Sequence, residues 1–131
     1  LKISASTMLS MTNVHFMDFQ NQTQMPVIYQ ASDLFCLPSI SETWGLAVNE
    51  AMAAGKAILV SDKVGCAVDL VKNGENGYIF ESNNLANLKP KLSLLLSKAT
   101  DLKEMGKVSL EMINEWSFEK QANAFIENLY A

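Results

Sequence analysis

Four consecutive residues, Ala57, Ile58, Leu59 and Val60, are apolar on both faces of any strand they form. A strand that alternates apolar and polar residues leaves one face in water. A run without alternation belongs inside a parallel sheet covered by helices on both sides. Gly55 precedes the run, and the polar pair Ser61-Asp62 ends it. This constraint predicts the fold class: α/β, a doubly wound parallel sheet.

The rest of the chain alternates in the manner such a sheet requires. Residues 1–11 suggest the tail of a helix, and residues 13–19 a strand. Residues 25–31 predict a short helix with Pro26 in the first turn, where its missing N–H costs nothing. Residues 33–37 form a short apolar strand closed by Pro38. Residues 45–54 predict an alanine-rich helix stopped by Gly55 as a C-terminal cap. A helix over 66–72, a turn over 73–77 and a strand over 78–80 follow the central strand. The tail is helical, with apolar stripes at Leu85, Leu88, Leu92 and Leu95, then at Leu102, Met105, Met112 and Trp116, then at Phe118, Ala122, Phe125 and Leu129. These stripes are read as core contacts, with Thr100 and Ser117 as N-caps.

Composition narrows the function. The chain has 131 residues, enough for one core, and 49% are hydrophobic against 18% charged. It reads as a single domain or part of one. Ten lysines, no arginine and 14 carboxylates give a net charge of −4, against a nucleic-acid partner. The longest apolar run is four residues, far below a bilayer span, and no leader pattern opens the chain. Cys36 and Cys66 are expected as buried free thiols, and His15 as a packed strand residue. With one histidine and no carboxylate cluster of ligand spacing, no metal is expected.

The charge is uneven. Residues 4–54 hold no lysine, and their charged side chains are Asp18, Asp33, Glu42 and Glu50. An anion bound there must be held by backbone N–H groups. Ligands of doubly wound sheets bind beyond the carboxyl ends of the strands. The richest such loop is 38–45, which runs from a buried strand into a helix whose first N–H groups carry the positive end of its dipole. Gly45 allows close approach. Glu42 stands in that loop. Glu50 stands on the helix among Leu46, Ala47, Val48, Ala51, Met52 and Ala53, where a carboxylate either faces water beside Asn49 or serves a ligand. The spacing alone carries nothing, since Glu111 and Glu119 repeat it.

Residues 41–55, Ser-Glu-Thr-Trp-Gly-Leu-Ala-Val-Asn-Glu-Ala-Met-Ala-Ala-Gly, resemble the donor-site signature of glycosyltransferase family 4, retaining enzymes of the GT-B type. The neighbours agree in order: Phe19-Gln20-Asn21-Gln22 leading to Tyr29 and Ala31, then residues 33–39, Ser61-Asp62 with residues 64–71, and residues 73–78. Asp18 stands where the family usually has glycine, and Val68 where proline is common.

The resemblance implies roles. Glu42 orients the donor sugar as the catalytic carboxylate, and Glu50 binds the ribose hydroxyls. The N–H groups of Thr43, Trp44, Gly45, Leu46 and Ala47 contact sugar and diphosphate, and backbone at Phe19 and Gln20 borders the nucleobase. The donor is a nucleotide-diphosphate sugar, with no cofactor. The acceptor, a glycan or lipid, is expected on an N-terminal domain outside this chain, and the location is expected to be cytoplasmic, with any membrane association through that domain. Family members place two more βα units before the strand at Val14, the first with the glycine turn and basic residues that grip the diphosphate. In the usual strand order 3-2-1-4-5-6, those two strands separate the Val14 and Leu34 strands. The chain is therefore expected to be part of a longer enzyme, inactive alone. Folded alone, it should rearrange, pair those strands directly, or form a strand-exchange dimer. The alternatives are a related GT-B enzyme, an epimerase or phosphorylase, and a non-catalytic domain that binds a nucleotide or a protein partner.

Overall fold

The structure is a computed structural model and describes residues 13–129. The helix tail expected over residues 1–11 lies outside the described residues. Three parallel strands, β1 (Leu34–Leu37), β2 (Ala57–Ser61) and β3 (Gly77–Phe80), form a sheet in the order β1-β2-β3. Helix α1 (Met25–Ala31) precedes β1. Helices α2 (Leu46–Ala53) and α3 (Ala67–Leu70) make the crossovers, and α4 (Leu85–Leu96), α5 (Ala99–Glu115) and α6 (Phe118–Leu129) follow β3.

The apolar run at residues 57–60 is the central strand, as its pattern requires, and every residue of β2 is fully buried. Its side chains alternate between two cores. Ile58 and Val60 join Val48, Ala51 and Met52 of α2 and Ala67 and Leu70 of α3. Ala57 and Leu59 point the other way, toward Leu95 of α4 and Leu102 of α5. Helix α5 serves both sides: Met105 packs on the second core, and Met112 and Ile113 pack on the first. Gly55 ends α2 with φ +70°, the expected cap.

Several expectations are corrected. Residues 13–19 form no strand, and Val14, Phe16 and Met17 are exposed. A strand persists only where its N–H and C=O groups find partners. Among the described residues nothing pairs with the outer edge of β1, so direct pairing with residues 13–19 does not occur. His15 in that segment is exposed, not packed. Cys66 is buried and free as expected, but Cys36 is exposed on edge strand β1. The stripe at Ala122, Phe125 and Leu129 is exposed on α6, with Phe125 67% accessible, so it is not part of either described core. Leu85, expected in the first tail stripe, is also exposed. Thr100 is not an N-cap, because α5 starts at Ala99 with Lys98 before it. Ser117 does accept from the Lys120 N–H, at 3.3 Å. Asn84, unremarked in the sequence, caps α4 by accepting from the Asn87 N–H.

Helix α3 is shorter than expected, and Asn76 gives the reason. Its fully buried amide donates to the Leu70 carbonyl at 2.9 Å and accepts from the Lys72 N–H at 2.8 Å. Backbone released from the helix is thus paired by one side chain, and the Asn76 carbonyl then accepts from Ile58 of β2 at 3.0 Å. By contrast, the buried Ser109 hydroxyl on α5 has no hydrogen-bond partner. No helix among the described residues is long and apolar enough to cross a membrane.

The two buried polar side chains give opposite expectations. Asn76→Ala should destabilise the chain by about 1–3 kcal/mol, because it strands a donor and an acceptor. Ser109→Ala should be neutral or stabilising, because it removes an unmade bond. Urea unfolding of the two variants beside the parent chain checks both signs.

Candidate functional site

Two loops leave the carboxyl end of the sheet side by side. One joins β1 to α2, the other β2 to α3. They are zipped by backbone bonds: the Glu42 N–H donates to the Lys63 carbonyl at 3.1 Å, Gly65 N–H to Glu42 at 2.9 Å, and Cys66 N–H to Trp44 at 2.9 Å. A parallel bridge between Glu42 and Val64 continues the β1–β2 pairing past the strands. The Ser61 hydroxyl adds a bond to the Ser39 carbonyl. The contact is close enough to dictate residue type. A Cβ at position 65 would sit 1.9 Å from the Thr43 carbonyl oxygen. Gly45 has φ +98°, and a Cβ there would meet Val64 at 2.8 Å. Both peptide groups of Glu42 are thereby committed, and its half-buried side chain leaves from a fixed point.

Helix α2 starts directly from Gly45, whose carbonyl accepts from Val48 at 2.8 Å. The N–H groups of Leu46 and Ala47 therefore precede any intrahelical acceptor and lie at the positive end of the helix. Thr43 and Leu46 are exposed, and Ala47 is half-buried.

Glu50 lies farther along α2 and is exposed, while Val48, Ala51 and Met52 face the core. It is not simply solvated. The Tyr29 hydroxyl of α1 donates to Glu50 Oε2 at 2.9 Å. Tyr29 itself is 5% exposed, and its ring meets Phe35 of β1 edge-on, with centroids 5.8 Å apart. A cleft of about 320 Å³ opens beside this pair, lined by Gln22, Met25, Pro26, Tyr29, Glu50 and Ala53 among others. Burial, and then the hydrogen bond and charge of Glu50, push the Tyr29 phenol up to about 12.

The other expected site residues divide. The Trp44 indole donates to Asn49 Oδ1 at 3.0 Å, and its ring lies 6.2 Å from that of Trp116, so its side chain braces the helices and leaves only its backbone to the loop. Phe19 and Gln20 lie in the unpaired segment before α1. The Phe19 ring is 92% exposed, and the Gln20 amide donates back to the Asp18 carbonyl. The zipped loops do not include them, although Gln22, two residues on, lines the cleft at Glu50. Sequence reasoning gave Tyr29 no role. Its signal was position alone, on the short helix ahead of the strand. Lys63 lies in the second loop, its ammonium 3.9 Å from Asp62 Oδ2 and both side chains exposed. Among the described residues no group of three His, Cys, Asp or Glu side chains gathers to hold a metal.

The Tyr29–Glu50 pair has a titration consequence. A phenol whose folded pKa is about 12, above its ordinary value of 10.0, favours the protonated folded state. Its contribution to stability is complete below pH ~10 and is lost as pH rises toward ~12. Ultraviolet titration should show a late tyrosine ionisation toward pH ~12, and Tyr29→Phe should delete that step.

A family profile described as Glycosyl transferases group 1 matches residues 2–112. A D-inositol 3-phosphate glycosyltransferase of Rhodococcus erythropolis is 30% identical over 115 residues, covering 88% of this chain and 26% of that protein. An N,N'-diacetylbacillosaminyl-diphospho-undecaprenol alpha-1,3-N-acetylgalactosaminyltransferase of Campylobacter jejuni is 44% identical over 69 residues, 53% of this chain and 18% of its own. The chain spans about a quarter of the length of the first curated relatives it matches. Among solved structures, sucrose-phosphate synthase from Thermosynechococcus elongatus aligns with TM-score 0.78 at 22% identity, over 95% of this chain and 32% of that one. Anabaena HepE, solved in complex with UDP and glucose, aligns with TM-score 0.74 at 21% identity, over 94% and 34%. These structural likenesses establish the fold as that of a GT-B glycosyltransferase domain. With the family profile covering most of its length, the chain belongs to the group 1 glycosyl transferases.

Proposed function

We propose that the chain is the donor-binding part of a retaining glycosyltransferase of family 4, which moves a sugar from a nucleotide-diphosphate donor to a glycan or lipid acceptor. Residues 1–131 form one partial nucleotide-sugar-binding domain, and an N-terminal domain supplies the acceptor site. The carrying observation is the anchoring of the two carboxylates: Glu42 by backbone pairing beyond the strand ends, Glu50 by a buried phenol beside a cleft. HepE was solved with UDP and glucose, which supports a nucleotide-sugar donor. The Campylobacter relative has diphospho-undecaprenol in its name, which supports a lipid-linked acceptor.

Glu42 accepts hydrogen bonds from donor-sugar hydroxyls and holds the anomeric carbon at the reacting face. Glu50 accepts from the ribose hydroxyls. The N–H groups from Thr43 to Ala47 face the sugar and diphosphate, and backbone at Phe19 and Gln20 borders the base. The bond to the nucleoside diphosphate breaks, so the main catalytic task is to stabilise negative charge on that leaving group. Fixed N–H dipoles at the start of α2 do so without reorganising. The reaction as proposed uses no metal or cofactor. The proposed location is the cytoplasm, with any membrane association through the N-terminal domain. Isolated from the rest of the enzyme, the chain is inactive, and the β1 edge, unpaired among the described residues, is open to rearrangement or to strand exchange with a second copy.

The two carboxylates then separate kinetically. In the full-length enzyme, Glu42→Ala should lower turnover by about 10²–10³-fold, as loss of one stabilising group at a reacting centre does. Glu50→Ala should mainly weaken nucleoside diphosphate binding, by about 10–100-fold. Release of nucleoside diphosphate from the donor measures the first, and calorimetry the second. Wild-type behaviour of both variants would overturn the proposal.

A further inference from the structure

We infer that Tyr29 is a positioning residue for the nucleotide, which fixes the Glu50 carboxylate so that Oε2 is occupied and Oε1 is presented to the ligand. The inference rests on the reading of Glu50 as the ribose contact.

The two residues come from different helices separated by β1, and they meet at 2.9 Å. One is rigid and the other is not. The Tyr29 ring is buried, with Phe35 against it edge-on, so its hydroxyl has little freedom to move. Glu50 is an exposed helical side chain, and an exposed glutamate samples several rotamers whose loss must be offset when a ligand binds. A bond from a fixed donor removes that freedom beforehand. An ionised carboxylate offers about four acceptor directions. The phenol takes one, on Oε2, and leaves directions enough for the two hydroxyls of a vicinal diol. Tyr29 and Glu50 line the same cleft, so the oriented group faces open space. The phenol, held up to about 12 by burial and by Glu50, stays a donor across any working pH.

Such a role acts on the sugar end of the nucleotide and not on its phosphates. In the full-length enzyme, Tyr29→Phe keeps the ring and its contact with Phe35 and deletes only the donor. The probes are uridine, guanosine and adenosine diphosphates, of which the tightest binder is followed, and inorganic pyrophosphate, which lacks ribose. Calorimetry should show nucleoside diphosphate binding weakened about three- to tenfold, with pyrophosphate binding unchanged. In a Glu50→Ala background, Tyr29→Phe should add nothing, because the group it orients is gone. Equal losses for the nucleotide and pyrophosphate would mark a general structural effect and overturn the inference. So would a Tyr29→Phe loss of the same size with and without Glu50. A normal Glu50→Ala defect beside wild-type binding in Tyr29→Phe would overturn the inference and leave the ribose reading standing. Wild-type binding in Glu50→Ala would overturn both.

Discussion

Burial of β2 on both faces is the constraint from which the remaining architecture follows. Each of its five residues is inaccessible, and the side chains of residues 57–60 feed opposite cores in turn. A strand with no wet face needs a helix layer above and another below, and it needs a hydrogen-bonded neighbour at each edge. The chain supplies α2 and α3 on one side, α4 on the other, and β1 and β3 as neighbours. Helix α5 contributes to both layers and ties them together. The loops at the carboxyl end inherit their positions from this arrangement, because β1 and β2 deliver them side by side.

Most of the elements were legible because their signals are local. Apolar runs, Pro26, Pro38 and Gly55 mark boundaries with their own stereochemistry. The misreadings share a different cause, which is dependence on a partner distant in sequence. Residues 13–19 carry a strand pattern, but a pattern does not supply the ladder that would satisfy it. Cys36 sits in an apolar run, yet its strand is an edge, and burial is a property of what lies across that edge. The α6 stripe shows the same thing for a helix: amphipathicity records what a face is suited to cover, not that it is covered. Helix α3 stops early because Asn76, beyond its end, captures the backbone, and no periodicity within residues 66–72 announces that.

The site follows the same division. The two glutamates, Gly45 and the helix start were visible as a motif on one stretch of sequence. The groups that hold them were not. Glu42 is fixed by residues 63–65 and Glu50 by Tyr29, each about twenty positions away on opposite sides. Trp44 belongs to the donor loop through its backbone, and its ring turns to Asn49 and Trp116, a contact that the motif does not announce. The fold also brings Lys63 beside a loop that has no lysine of its own.

The zipper between the two loops has a bearing on motion. Glu42 and Glu50 are eight positions apart on one continuous segment, yet their restraints belong to different parts of the molecule. Opening of the loop at Lys63–Gly65 would release Glu42 while the bond between α1 and α2 held Glu50 in place. Loosening of α1 would do the reverse. Local opening proceeds in contiguous units of differing stability. The two ends of one short motif are thus restrained from different sides, Glu42 by the second loop and Glu50 by α1.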